Sequence, residues 1–169
     1  MSGHFTRILV PTDFGAASEA ALECAKELAR RFNAHLYLLH VVEDPMATGV
    51  WTPEVYVGAS AELRDTLLRD AKLRADQALT AAEREEFKAA IEIRVGAAAD
   101  TIGEFAREMG ITLIVMGTHG RRGLAHMFLG SVAERMVRTA PCPVLTLRQY
   151  RAHETSPGNA QLVGPERAG

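Results

Sequence analysis

Short apolar runs alternate along the chain with longer stretches in which apolar residues recur at every third or fourth position. The first run is Ile8-Leu9-Val10, and the second covers residues 35–42 (HLYLLHVV). Uninterrupted apolar runs of this length are typical of strands that are buried on both faces of a parallel sheet. Three further runs predict strands over residues 90–95, 111–116 and 144–147.

The stretches between these runs predict amphipathic helices. Residues 16–32 place small and apolar side chains three or four positions apart, and Asn33 is expected to end this helix. One long helix is expected over residues 60–88, and a short one between Asp100 and Gly110. A last helix follows Gly130 and ends before Pro141, and its inner face is predicted to comprise Leu129, Val132, Ala133, Met136 and Val137.

The alternation of five strands with helices predicts an α/β fold. Consecutive βαβ units with right-handed crossovers form a single doubly wound, open parallel sheet with helices on both faces. We expect residues 1–148 to form one domain. Residues 149–169 form a polar tail with scattered proline and glycine, which we expect to be flexible.

The net charge and the residue composition indicate which classes of binding partner to expect. The net charge of −2 provides no bulk attraction to nucleic acid or to anionic lipid, so we expect neither as a partner. No stretch contains eighteen consecutive apolar residues, and no signal-peptide pattern precedes the first strand. Cys24 and Cys142 are too few for a disulfide framework or a four-cysteine metal site. These observations predict a cytoplasmic protein.

Residues suited to ligand binding follow the first and fourth strands. In an open parallel sheet, the ligand crevice lies beyond the carboxyl ends of the strands, which places residues 11–13 and 117–131 on one rim. A glycine-rich loop leads there into a helix start, whose unpaired N–H groups and dipole suit a phosphate. The chain contains neither a Walker loop nor GxGxxG after the first strand. It contains instead Gly117, two residues, Gly120, nine residues, and Gly130-Ser131.

This spacing resembles the G-x2-G-x9-G-[ST] motif of the ATP-binding branch of the universal stress protein family. Gly117, Gly120, Gly130 and Ser131 match the motif without a departure. The resemblance covers about residues 5–148 and includes the segments 8–13 (ILVPTD), 39–42 (LHVV), 114–117 (IVMG) and 141–144 (PCPV). It implies a flavodoxin-like or Rossmann-like sheet with strand order 3-2-1-4-5, and ATP as the ligand.

The resemblance also implies roles for individual residues. Gly120 and Gly130 would let the backbone approach phosphate oxygens, and Ser131 would offer its amide and hydroxyl to them. The family pattern places Asp13 against the ribose hydroxyls and Val41 against adenine, with Gly117 near the ribose. The predicted nucleotide-binding residues are Pro11, Thr12, Asp13, Val41, Met116, Gly117, His119, Gly120, Gly130, Ser131 and Val132. A divalent cation, Mg²⁺ or Mn²⁺, would be held mainly by the phosphates.

Simpler interpretations exist for several of these residues. Asp13 is also a common type of helix cap after a strand, and Arg121 and Arg122 suit a solvated loop tip. Trp51 could cover adenine or pack against a neighbouring helix or subunit. His119 and His126 have no orienting partner recognisable in the sequence, so neither is assigned as a general base.

We therefore predict an ATP-binding sensor or regulator in a stress response. The family pattern also implies a homodimer, formed by strand pairing through Val144, Leu145, Thr146 and Leu147. Two alternatives remain open: slow ATP hydrolysis or nucleotidyl transfer at the same site, and a dimeric interaction module that binds no nucleotide. No residue is assigned a catalytic role.

Overall fold

The computed structural model describes residues 5–43, 61–118 and 130–148. Within them, strands and helices alternate as the apolar pattern predicts. In chain order the elements are β1 (Arg7–Thr12), α1 (Ala16–Phe32), β2 (His35–Glu43), α2 (Ala61–Ala78), α3 (Ala81–Glu86), β3 (Ala90–Gly96), α4 (Ala98–Glu108), β4 (Leu113–Gly117), α5 (Ser131–Thr139) and β5 (Val144–Leu147).

The strands form one parallel sheet with the order β3-β2-β1-β4-β5. This is the doubly wound, flavodoxin-like α/β fold, and both the fold class and the strand order predicted from the sequence are confirmed. β1 lies at the centre, where Ile8 is in register with Leu36 of β2 and Leu113 of β4. None of the helices in the described part of the chain is long and apolar enough to cross a lipid bilayer.

Alternate residues of the central strands contribute to two separate cores. Ile8, Val10 and Val115 pack on one face of the sheet against α1 and against the end of the α2–α3 segment. Leu9 and Ile114 pack on the other face against α4 and α5. All five side chains are fully buried, which explains why the strands appear in the sequence as unbroken apolar runs.

The predicted single helix over residues 60–88 is wrong, because the chain breaks at Leu79 and Thr80 and a separate helix, α3, begins at Ala81. Thr80 caps α3: its Oγ1 accepts a hydrogen bond from Glu83 N–H at 3.2 Å, while Glu83 Oε2 accepts one from Thr80 N–H at 2.8 Å. This reciprocal capping box pairs the N–H groups of Thr80 and Glu83 at the start of α3. In one continuous helix these N–H groups would be bonded to carbonyls of the preceding turn. Leu79 is buried at the break.

Two smaller expectations also need correction. Val137 of α5 was assigned to the inner face, yet 55% of it is exposed. Ala133 and Met136 are the residues of α5 that are buried. The short helix expected between Asp100 and Gly110 begins two residues earlier, at Ala98, after the capping residue Ala97. The expected helix ends are confirmed: Asn33 and Gly110 both adopt the left-handed conformation, with φ of 51° and 58°.

Candidate functional site

The carboxyl ends of β1 and β4 lie side by side at the centre of the sheet. The helix after β1 covers one face and the helix after β4 covers the other, so the winding direction reverses between these two strands. Such a reversal opens a crevice beyond the strand ends, where ligands bind in open α/β sheets. The topology therefore brings the Thr12-Asp13 segment and the Gly130-Ser131 segment to the same rim.

The turn between β1 and α1 is fixed by its own side chains. Asp13 Oδ1 accepts hydrogen bonds from Gly15 N–H at 3.0 Å and from the Ser18 hydroxyl at 2.8 Å. Thr12 Oγ1 accepts one from Phe14 N–H at 2.9 Å. Phe14 has a φ of 58°, a left-handed conformation that is uncommon for a residue with a side chain. These hydrogen bonds hold the turn in that conformation.

His40 attaches the same turn to β2. Its Nδ1 lies 2.7 Å from the Thr12 carbonyl oxygen, and because a carbonyl can only accept, Nδ1 carries the proton. The His40 and Phe14 rings lie 4.5 Å apart between centroids. His40 therefore has a structural role, since it fixes the backbone next to Asp13.

The end of β4 leads directly to the start of α5. Thr118 is buried, and its N–H donates to the Leu147 carbonyl of β5 at 2.9 Å. The Thr118 carbonyl accepts a hydrogen bond from Gly130 N–H at 2.6 Å. Residues 118 and 130 therefore meet across the glycine-rich segment, although that segment itself, 119–129, lies outside the described residues.

Gly117 has a packing role that was not predicted. A Cβ added there would lie 2.8 Å from the Ala17 Cβ and 2.9 Å from the Ala17 carbonyl carbon and oxygen. Backbone atoms cannot move aside as the end of a flexible side chain can, so the first turn of α1 requires glycine at this position. Close helix-to-strand packing thus explains the first glycine of the motif without a ligand.

α5, like α1, begins after a glycine cap, but the N–H of this cap bonds to a backbone carbonyl, that of Thr118, and not to side chains. Gly130 is the capping residue, with φ of −71° and ψ of 155°, and no side chain of the described residues makes a capping hydrogen bond there. The first N–H groups of a helix have no partner within the helix. Ser131 is exposed, whereas Val132 is half-buried and packs against the second core. This start therefore presents backbone donors at the rim.

The remaining predicted residues divide into three groups. Pro11 and Met116 are buried within their strands, and the Met116 side chain belongs to the second core, so their side chains are structural. Val41 is half-buried near the end of β2. The third group lies outside the described residues and comprises His119 and Gly120 of the predicted site, together with Trp51, Arg121, Arg122 and His126.

The described residues contain no group of three or more His, Cys, Asp or Glu side chains that could hold a metal ion. Both cysteines are free thiols, and burial is the main cause that raises the pKa of each above its ordinary value. They pack against opposite faces of the sheet, Cys24 with the first core and Cys142 with the second. The two thiols therefore do not form a disulfide with each other.

Sequence reasoning missed three residues that shape the site: Ala17, Ser18 and, in its specific role, His40. Ser18 left a recognisable pattern, because a serine three residues after the helix-capping Gly15 is placed to bond with the cap. No sequence pattern indicates the contact between Ala17 and Gly117, because it joins α1 to β4, which are distant in the sequence.

Residues 4–148 match the model of the universal stress protein family. The chain belongs to that family. It is 36% identical over 149 residues to universal stress protein MJ0531 of Methanocaldococcus jannaschii, an alignment that covers 86% of this chain and 83% of the relative. The structural and sequence evidence therefore agree on the family that the motif indicated.

Two solved structures extend the comparison. MJ0577, also from Methanocaldococcus jannaschii, superposes with a TM-score of 0.71 at 27% identity, over 88% of this chain and 99% of that one. A universal stress protein solved in complex with cAMP superposes with a TM-score of 0.52 at 26% identity, over 87% of this chain and 99% of that one. A family member of this fold thus binds an adenine nucleotide.

Proposed function

We propose that this universal stress protein binds ATP at the rim between β1 and β4, and that nucleotide occupancy is the signal it provides in a stress response. The observation that carries the proposal is the start of α5. Gly130 caps this helix without a side-chain cap from the described residues, directly beside the end of β4. Unpaired N–H groups and the positive end of the helix dipole favour a phosphate there.

The backbone conformation of Gly130 supports this assignment. Its φ of −71° and ψ of 155° lie in the extended region, which any residue adopts. Gly130 is thus not required by an unusual φ angle, whereas Gly117 is required by its close contact with Ala17. Close approach of phosphate oxygens to the backbone is a physical reason for glycine at this position. Gly120 would serve the same purpose in the segment between β4 and α5.

The adenosine part of the ligand is proposed to lie against β1 and β2. Asp13 is half-buried just beyond β1, and as a carboxylate it accepts hydrogen bonds from ribose hydroxyls. Val41 is half-buried near the end of β2, next to β1 in the sheet, where backbone groups can meet the adenine edge. The relative in complex with cAMP supports the ligand class, since cAMP shares its adenine and ribose with ATP.

We propose that Mg²⁺ or Mn²⁺ enters with the nucleotide and is held mainly by its phosphates. Both ions prefer oxygen ligands, and phosphate oxygens supply them. The Ser131 hydroxyl lies at the first position of α5, where it can contact the proposed phosphates. Binding of ATP is therefore expected to weaken when EDTA removes the ion.

The test is direct. Freshly purified protein is denatured in acid, and the supernatant is chromatographed for nucleotides; nucleotide-free protein is then titrated with Mg-ATP by calorimetry and by thermal shift. We expect about one adenine nucleotide per chain and a rise in melting temperature with Mg-ATP. No released nucleotide, no heat of binding and no thermal shift would together overturn the proposal. Accumulation of ADP during the titration would instead favour the slow ATPase.

We also propose a homodimer formed by β5. This strand is at the edge of the sheet, and Leu145 is 38% exposed. The Pro143 carbonyl accepts a hydrogen bond from Ile114 of β4, and the Leu147 carbonyl accepts one from Thr118, which directly follows β4. Because backbone groups alternate sides along a strand, Val144 and Thr146 present theirs to the open edge. A second copy related by a two-fold axis can pair with these groups and cover Leu145.

The dimer is tested by light scattering during size-exclusion chromatography. Thr146→Pro removes an N–H from the open edge and leaves the ladder to β4 intact, a substitution that edge strands tolerate. We expect a wild-type dimer and a folded, monomeric Thr146→Pro. A monomeric wild-type protein, or a Thr146→Pro protein that remains dimeric, would contradict pairing through β5.

We place the protein in the cytoplasm as part of the same proposal. The two thiols are free, and their positions on opposite faces of the sheet suit a reducing compartment. Fractionation of cells that produce the protein should recover it with cytoplasmic markers, and recovery from the extracellular or membrane fraction would contradict this placement.

A further inference from the structure

Ser18 is a buried polar residue that has no role in the nucleotide site proposed above. It lies one turn into α1 and is 5% exposed. Its Oγ is 2.8 Å from Asp13 Oδ1, 2.9 Å from the Gly15 carbonyl oxygen, 3.1 Å from Gly15 N and 3.1 Å from Thr12 Oγ1. One hydroxyl therefore meets four polar atoms of the β1–α1 turn.

The direction of these hydrogen bonds follows from the available protons. A hydroxyl donates one proton and accepts through two lone pairs. The Thr12 hydroxyl donates to Ser18 Oγ, and so does Gly15 N–H, which is shared between Ser18 Oγ and Asp13 Oδ1, so both lone pairs of Ser18 Oγ are used. Its proton can go to the Gly15 carbonyl, which already accepts from Glu19 N–H at 2.9 Å, or to the Asp13 carboxylate. The charged carboxylate forms the stronger bond, and so it receives the proton.

The consequence is a carboxylate held in one orientation. Asp13 Oδ1 receives both the Ser18 hydroxyl and Gly15 N–H, and two donors on one oxygen fix the rotation of the group. On its other side, the backbone next to Asp13 is held by His40, which bonds the Thr12 carbonyl at 2.7 Å. The orientation of the Asp13 carboxylate is therefore set by the turn before any ligand arrives, and Ser18 is the side chain that donates to it.

We propose that Ser18 is a positioning residue that orients Asp13 toward the ribose hydroxyls and thereby makes the site selective for ribonucleotides. The proposal rests on the nucleotide function proposed above. The ribose hydroxyls would donate to this oriented carboxylate. Ser18 itself does not touch the ligand. Preorganisation of this kind strengthens binding by removing the rotational freedom that the ligand would otherwise have to restrict.

The experiment compares two ligands that differ only in the ribose hydroxyls, Mg-ATP and its 2′,3′-dideoxy analogue. Calorimetry on the wild-type protein should show tighter binding of ATP. In Ser18→Ala we expect affinity for ATP to fall about tenfold, as for loss of one well-oriented hydrogen bond to a charged group, and affinity for the dideoxy analogue to change less than about twofold. The preference of the protein for the ligand with ribose hydroxyls should therefore be largely lost.

Three further proteins make the result specific. Thr101→Ala removes another buried hydroxyl from the first turn of a helix, in α4, and should keep the wild-type preference. Ser18→Thr retains a hydroxyl and should restore the preference. Ser18→Cys is close in size to serine but a weaker donor, so it should lower the preference, and it serves if Ser18→Ala does not fold.

The outcomes separate the two proposals. Equal losses for both ligands in Ser18→Ala would show that Ser18 merely stabilises the turn and would overturn the inference, while ATP binding itself would stand. A wild-type protein that binds both ligands equally well would also overturn it. A wild-type protein that binds neither ligand would overturn the proposed function and this inference together.

Discussion

Two helices begin on the same rim of the sheet, and their starts are built differently. At α1, side chains of the preceding turn bond to the N–H of the cap residue, since Asp13 and Ser18 bond to each other and to Gly15 N–H. At α5, Gly130 caps the helix without such side-chain partners among the described residues. Neither cap makes a side-chain hydrogen bond to the first N–H groups of its helix within the described residues. The Asp13 carboxylate already stands beside the start of α1 and would repel a second anion, which supports the proposed placement of phosphate at α5 and of ribose at the turn before α1.

The two helices are also anchored differently. α1 buries six residues, including Lys26, and contacts β4 closely at Gly117. α5 buries Ala133 and Met136, and its ion pair with α4, between Arg135 and Asp100, is exposed. We infer that α1 is the fixed side of the site and α5 the side that responds to the ligand. The following predictions test this contrast, beginning with the largest expected effect.

The first prediction concerns the capping residue of α5. Gly130→Val should lower the affinity for Mg-ATP about 100-fold or more, because its side chain would occupy the space of phosphate oxygens, whereas the extended backbone accepts valine. Calorimetry and a thermal melt measure the two properties. The matched control, Ala16→Val, adds a similar side chain at the exposed first position of α1 and should keep affinity within about twofold. Equal losses of affinity in both variants would show that the two helix starts do not differ in phosphate binding.

The second prediction concerns the anchoring of α1 to β4. Gly117→Ala should destabilise the protein by about 1–3 kcal/mol, because the added Cβ meets Ala17 atoms at 2.8–2.9 Å. Gly103→Ala is the control, since its Cβ would meet its nearest neighbour at 3.7 Å within a helix, and it should stabilise by about 0.5–1 kcal/mol. Urea unfolding measures both. A Gly117→Ala protein as stable as the wild type would refute the packing role.

The third prediction concerns the ion pair that fixes α1 to α3. Lys26, 7% exposed, donates to Glu83 at 2.7 Å. This hydrogen bond and those from Thr80 lower the pKa of Glu83 from 4.5 to about 2. Because the pKa falls on folding, the stabilisation is complete above pH 4.5 and is lost as the pH decreases toward 2. Glu83→Gln should destabilise by about 1–2 kcal/mol at pH 7.

The measurement is the free energy of unfolding at several pH values between 7 and 2. Glu83→Gln should flatten the pH dependence below pH 4.5 relative to the wild type. The exposed neighbour Glu85 provides the control, and Glu85→Gln should change the stability at pH 7 by less than about 0.5 kcal/mol. Identical pH profiles for wild type and Glu83→Gln would show that this pair does not hold α1.

The smallest expected effect concerns the anchoring of α5. Arg135 and Asp100 form a bond of 2.6 Å, but their side chains are 55% and 52% exposed. Exposed pairs contribute little, so a double-mutant cycle with Arg135→Gln and Asp100→Asn should give a coupling energy below about 0.5 kcal/mol. A coupling energy above about 1 kcal/mol would mean that α5 is held firmly to α4. The inference that α5 is the side that responds to the ligand would then be wrong.

The sequence predicted those features that depend on local pattern. Apolar runs located the strands, helical spacing located α1 at residues 16–32, and Asn33 and Gly110 ended helices as expected. The break at Thr80 was also local, but helical spacing on both sides concealed a capping box that the sequence does contain. The strand order came from the family resemblance and is confirmed by the sheet.

The candidate site was less accessible to sequence reasoning, because its contacts join distant segments. Gly117 was assigned to the ligand by its place in a motif, whereas its contact with Ala17 is a packing constraint between β4 and α1. Asp13 was considered either a cap or a ribose acceptor. In the structure its Oδ1 bonds within the turn, and the ribose contact remains a prediction. The hydrogen bond from His40 to Thr12 depends on strand pairing and has no sequence pattern.

The central claim is that phosphate binds at the start of α5 and not at the start of α1. The most direct measurement is paramagnetic broadening of backbone amide signals in an NMR titration with Mn-ATP, with Mg-ATP as the diamagnetic reference. Because Mn²⁺ accompanies the phosphates, we expect the strongest broadening at Gly130, Ser131 and Val132. Strongest broadening at the start of α1, from Gly15 to Ala17, with α5 unaffected, would contradict phosphate binding at α5.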